Sequence, residues 1–196
     1  MWLGDILSWY GEFNGIRNKF FAERGLIGAD KRQTMPASTG IGLKPAGGVQ
    51  CGMDLTGVLE PGDSIELLAA IGRQQCALNY GSAFSRASRA TSPAGDTVFV
   101  SGTASIDTTG ATTHIGDAKG QIETTIENVR AVLKDMKCSE GDVVQAIAYC
   151  KTTEEEKAFE KYKKQIDWPW LVAICDICRD DLLFEIEATA MTGANR

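Results

Sequence analysis

The second half of the chain switches its hydrophobic period repeatedly, and this constrains the fold more than any other feature. Ala77–Ala90 reads as an extended segment leading into a strand, and Thr97–Ile106 (TVFVSGTASI) is β-rich. Gln121–Met136 then places Ile122, Ile126, Val129, Val132, Leu133 and Met136 on one face of a helix. A strand follows at Asp142–Cys150. Glu154–Ile166 is a second helix, with Ala158, Phe159 and Tyr162 inward and Lys and Glu outward. Two strands close the run, Pro169–Cys178 and Leu182–Met191, joined by Arg179-Asp180-Asp181. The order β-β-α-β-α-β-β predicts an α+β sandwich, a mixed sheet with helices on one face.

The first half is less regular. Asp5–Glu23 has Ile6, Leu7, Tyr10, Phe13, Ile16, Phe20 and Phe21 at helical spacing, which predicts a helix packing an aromatic stripe into a core. Gly25 and Gly28 end it. Strands are expected at Ala37–Leu43 and Val49–Val58, and a turn at Glu60–Asp63. Helix–Pro36–strand–strand echoes helix–Pro169–strand–strand later in the chain. This divides the chain into a half-domain at 1–75, an incomplete half-repeat whose sheet is completed elsewhere, and a full domain at 76–196.

Charge and composition exclude several functions. The formal net charge is −6 and no basic block is present, which argues against a nucleic-acid partner. No apolar run approaches the roughly 18 residues of a membrane span. The start carries no basic and apolar leader pattern, and the six cysteines are scattered, so a reduced, cytoplasmic setting is expected. Cys175 and Cys178 have a metal-like spacing but no second pair, and on a strand they point to opposite faces. Packing or site-lining thiols are expected rather than metal ligands. His114, the single histidine, lies in a Gly/Thr-rich stretch and reads as a loop residue.

The sharpest chemical feature is Leu182–Ala190 (LLFEIEATA). Period-2 geometry puts Glu185, Glu187 and Thr189 on one face and Phe184, Ile186 and Ala188 on the other. Two neighbouring carboxylates, partly buried, raise each other's pKa into the range of a general acid or base; exposed to water, the same pattern is only a polar sheet face. Arg86 and Arg179 are candidate carboxylate anchors, while Arg73 and Arg89 read as surface residues. The run Ser101–Ser105, with Gly102 and Ala104, admits either close approach of a ligand or tight strand–helix packing.

The ordered set VSGTASI, the glutamine and ENV of QIETTIENV, and FEIEA resembles the RidA/YjgF superfamily over about residues 84–192. The resemblance implies a chorismate-mutase-like sandwich and a homotrimer with ligand clefts between subunits. It matches Glu185 to the family's water-activating glutamate. The deaminase branch carries an Arg just after the proline opening the penultimate strand; here Trp170, Leu171 and Val172 stand there. WYGEFNGIRNKFF, PASTGIG, GRQ, YG with SAFSRA, VSGTASI and ICRDDLLFEIEA look more like the chorismatase branch, across nearly the whole chain. That likeness implies Glu185 as the catalytic acid and Cys178 and Ala104 as pocket-shaping residues beside Gly102. It also implies Arg86 and Arg179 as anchors of a small carboxylate substrate. Chorismatases place about half a domain ahead of position 2, and they are longer where this chain has Gln75–Asn79. No metal or organic cofactor is implied. The expected activity is hydrolysis or lyase chemistry on a small carboxylated enol ether such as chorismate. An enamine/imine deaminase and a non-catalytic small-molecule-binding subunit are the alternatives.

Overall fold

The structure, a computed structural model, describes residues 1–28, 34–59, 64–93 and 95–192. The turn expected at Glu60–Asp63 lies outside the described residues. A six-stranded mixed sheet runs in the order β3-β4-β5-β8-β6-β7. Its strands are β3 (Glu66–Leu68), β4 (Ala87–Ser92), β5 (Gly95–Ala104), β6 (Val143–Cys150), β7 (Trp170–Ile174) and β8 (Phe184–Thr192). Neighbours are antiparallel except β6 and β7, which are parallel.

Helices α2 (Ala118–Asp135) and α3 (Thr153–Lys163) cover one face of this sheet. All six apolar positions expected on α2 are buried there, against Val98, Val100, Phe184, Ile186, Ala188 and Ala190. Phe159 of α3 has ring centroids of Trp170 and Phe184 each 4.9 Å from its own. Asp117 caps α2, its side chain accepting from the Gly120 N–H at 3.1 Å, and Thr152 with Glu155 forms a capping box on α3. Among the described residues no helix is long and apolar enough to cross a membrane.

The N-terminal third lies on the other face. Helix α1 (Ile6–Glu23) forms as expected, but its buried stripe is not the aromatic one. Ile6, Asn14 and Arg17 are buried, while Ile16 and Phe20 are 66% and 48% exposed. The helix therefore packs a polar row onto the sheet domain rather than an apolar row into a core.

The two strands expected in this region are corrected. Residues 37–43 form only single bridges, Ala37 to Ser85, Ile41 to Trp2 and Gly42 to Asp176. Their neighbours are hydroxyls rather than a strand: Ser38 N–H donates to Ser101 Oγ at 2.9 Å, and Thr39 Oγ1 accepts from Gly102 N–H at 2.9 Å. Of 49–58, only Cys51–Gly52 (β2) pairs, with Trp2–Leu3 (β1). Met53 and Leu55 beyond it are exposed, so alternation there has no sheet to face. The penultimate strand also stops at Ile174, short of Cys178, because Asp176 turns away to bridge Gly42.

Candidate active site

β8 behaves as its alternation dictates. Phe184, Ile186 and Ala188 enter the core under the helices, and Glu185 points to the opposite face. Glu185 is 4% exposed. Polar side chains from α2 fix its approach: Gln121 Nε2 donates to Asp181 O at 2.7 Å, and Gln121 Oε1 accepts from Leu183 N–H at 2.8 Å. The facing end of β5 is held the same way. Asn128 Nδ2 and Gln74 Nε2 both donate to Ala104 O, at 3.0 and 3.1 Å.

β5 carries a register irregularity between Val100 and Thr103, which turns the Ser101-Gly102 backbone toward the carboxylate. A Cβ at Gly102 would lie 2.1 Å from Glu185 Oε1 and 3.0 Å from Thr39 Cγ2. Gly102 is thus the clearance that lets the Glu185 carboxylate lie across the strand.

A cavity of about 50 Å³ opens beside this carboxylate. Arg86, Gly102, Ala104, Cys178, Arg179 and Glu185, the six residues singled out in the sequence, all line it. Tyr10 and Arg17 of α1 and Tyr80, Ser82 and Phe84 of the 77–84 segment line it too. Sequence reasoning misses these five, since the helical spacing of α1 places Tyr10 in a core stripe and nothing in the pattern marks the others.

Each guanidinium is positioned by the backbone or an aromatic ring. Arg86, 2% exposed, donates to Gln75 O from Nε and Nη2 at 3.2 and 2.7 Å, and to Tyr80 Oη at 2.5 Å. Arg179 Nη1 donates to Gly110 O at 2.9 Å, and its guanidinium lies 5.3 Å from the Tyr80 ring. Gly110 has φ +86°, and a Cβ there would strike Tyr80 Cδ1 at 2.4 Å, so no other residue fits this corner without strain.

Burial first, and the nearby Glu187 second, push the Glu185 carboxyl up to about 8 against the opposing pull of Arg179 and Arg86. Among the described residues no ion pair joins Glu185 to either guanidinium, which leaves burial dominant. Burial likewise pushes the Cys178 thiol up to about 12, so it lines the cavity as a neutral group. Cys175 does not line the cavity and is buried behind it, in the apolar cluster of Ile41, Ala104, Ile177 and Leu182. Among the described residues no group of three or more His, Cys, Asp or Glu is placed to hold a metal ion.

The other sequence candidates stand elsewhere. Glu187 is half-buried and accepts from the Tyr149 hydroxyl at 3.2 Å. Arg73 donates to Asn128 Oδ1 at 3.0 Å, and Arg89 pairs with Glu66 at 3.2 Å. His114 sits at φ 54° in the loop before α2, outside the cavity lining.

The family model described as Endoribonuclease L-PSP matches residues 77–192, which hold Glu185 and every strand of the sheet but β3. The chain belongs to this family, the RidA/YjgF proteins. Among solved structures, a chorismatase is 26% identical with a TM-score of 0.68. The match covers 92% of this chain and 57% of the chorismatase, so this family member spans little more than half of that relative's length. A putative endoribonuclease from Thermotoga maritima (20% identity, TM-score 0.52) matches 66% of this chain and 99% of its own. A probable translation initiation inhibitor from Rhodopseudomonas palustris (20% identity, TM-score 0.56) matches 67% and 100%. These two share the fold. No curated protein matches the chain. The chorismatase match takes in most of this RidA/YjgF protein, whereas the family model begins at residue 77, after α1.

Proposed function

We propose that this RidA/YjgF protein is a chorismatase-like acid–base enzyme that hydrolyses a small carboxylated enol ether, with chorismate the first substrate to test. The observation that carries the reading is Glu185: a carboxyl held protonated near neutral pH, at a cavity that also presents Arg86 and Arg179. The two guanidinia hold a substrate carboxylate. Protonated Glu185 gives its proton to the vinyl carbon, and the electrons of the ether oxygen stabilise the resulting cation. Water attacks the adjacent oxocarbenium carbon, the one that bears the ether oxygen, and returns a proton to the Glu185 carboxylate. The hemiketal then collapses to pyruvate and the freed alcohol. A positioned general acid contributes about 10²–10⁴-fold.

The deaminase alternative is less well supported. Trp170, at the start of β7, packs against Phe159 and Trp168 on the helix side, so no guanidinium enters the cavity from that position. The test is pyruvate release from chorismate, with Glu185→Gln as the control. Turnover that survives this substitution removes Glu185 from its role. Ligand binding without turnover in the native protein favours a binding subunit.

We also propose a homotrimer and a cytoplasmic setting. In support of the first, the sheet face opposite α2 and α3 leaves Leu171 56% exposed and Phe99 and Ile147 partly exposed. In support of the second, Cys138, Cys150 and Cys175 are buried as thiols inside the fold. Sedimentation equilibrium at micromolar concentration should report three chains per particle; a monomer refutes the trimer.

A further inference from the structure

We propose that Arg17 is an additional anion anchor of this site, binding an acidic group of the ligand from the α1 wall of the cavity. The inference deepens the reading above and rests on it for the substrate class, a small organic acid. Ile6, Tyr10, Asn14 and Arg17 form one row along α1, and three of the four are polar. Asn14 and Arg17 are 8% and 9% exposed, while the apolar Ile16 and Phe20 face water. A helix recruited for packing alone buries the opposite set.

The surroundings of Arg17 leave its charge unanswered. Nη2 donates to Asn14 Oδ1 at 2.6 Å, the Tyr10 hydroxyl is a second, neutral hydrogen-bond neighbour, and the guanidinium stands 5.3 Å from the Phe13 ring. Its Nε is sealed from solvent and has no hydrogen-bond partner. Among the described residues no carboxylate pairs with it. The ionisable groups beside it are Tyr10 and Cys178, both kept protonated by burial. An arginine this deeply buried normally carries an anionic partner. Here the partner position is the cavity, which Arg17 lines together with Arg86 and Arg179. Three guanidinia around one neutral carboxyl make a site that demands an anion, and the α1 wall supplies the cation that lies outside the family match.

Malonate and its uncharged isostere malonamide test the assignment by calorimetric titration of the full-length protein and of Arg17→Gln. The native protein should bind malonate and discriminate against malonamide. The R17Q protein should lose malonate affinity about ten-fold or more, the worth of one charge-assisted hydrogen bond. Its urea midpoint should equal or exceed the native one, because an unpaired buried cation has been removed; a merely structural arginine would lower it. Arg17→Lys, which keeps the charge but not the fork, should lose less and serves in its place if R17Q does not fold. Malonate that binds the R17Q protein as tightly as the native one, or fails to bind the native protein, overturns the anchor. Arg17-dependent malonate binding without pyruvate release from chorismate keeps the anchor and sinks the hydrolase reading. Pyruvate release with an unchanged KM in R17Q does the reverse.

Discussion

Replacing Glu185 by Gln should stabilise the protein, and by an amount that grows with pH. In the fold this carboxyl keeps its proton to about pH 8, against an ordinary value of 4.5. Between those limits the unfolded chain has released a proton that the native state retains. A group whose folded pKa is raised in this way adds no penalty below the lower value, and its cost to stability rises until the upper value is passed. Integrating over the shift gives a cost of about 1 kcal/mol at pH 5, about 3 at pH 7 and about 5 at pH 9. Gln is nearly isosteric and does not ionise, so the substitution removes this pH-dependent cost. Other carboxylates titrate alike in both proteins and cancel in the difference. Urea unfolding of the pair at these three pH values is the assay. The gap between their unfolding free energies should widen steadily toward alkaline pH. Parallel curves across that range would show that Glu185 ionises in the fold as freely as in water, and the general-acid reading would fall with them.

The same proton predicts the pH–rate profile: turnover should hold on the acid side and decline as pH rises through about 8, where Glu185 loses the proton it donates. A limb near the ordinary carboxylate value would contradict this. Gly102→Ala places a methyl 2.1 Å from Glu185 Oε1. It should cost about 1–3 kcal/mol in unfolding free energy and most of the 10²–10⁴-fold acid catalysis. Gly15→Ala, on α1 with no atom within 4 Å of the new methyl, is its control and should add about 0.5–1 kcal/mol. Phe159→Ala empties the contact between α3, Trp170 and Phe184 and should cost about 3–5 kcal/mol by urea unfolding. A loss under about 1 kcal/mol would mean that α3 does not anchor the sheet there.

The helix-covered layer was legible in the sequence because each of its elements is wet on one side and dry on the other. α2 and β8 therefore write clean periods of 3.6 and 2, and Glu185 could be assigned to the face away from Phe184 and Ile186. Arg86, Arg179 and the small residues Gly102 and Ala104 stood out by residue type, and the resemblance to known motifs added Cys178 and joined them to Glu185 as one site. The N-terminal third was not legible, for three separate reasons. β1 and β3 are two and three residues long, too short to show a period. Residues 37–43 alternate like a strand but spend their hydrogen bonds on Ser101, Gly102 and single bridges. In α1 the buried row is polar, so hydrophobic periodicity selected the wrong face.

That last failure bears on the chemistry. Burial is the largest contribution to the raised pKa of Glu185, and the cavity wall that excludes water includes Tyr10 and Arg17. The family match supplies the acid and two guanidinia; the segment before residue 77 supplies part of the low-dielectric surround that keeps the acid protonated. A buried guanidinium is an expensive way to seal a cavity that only needs to stay dry, since Leu or Phe would exclude water at lower cost. Arg17, held by Asn14, therefore stands where an anion is to be received, and one helix both lids the acid and charges the pocket that the substrate enters.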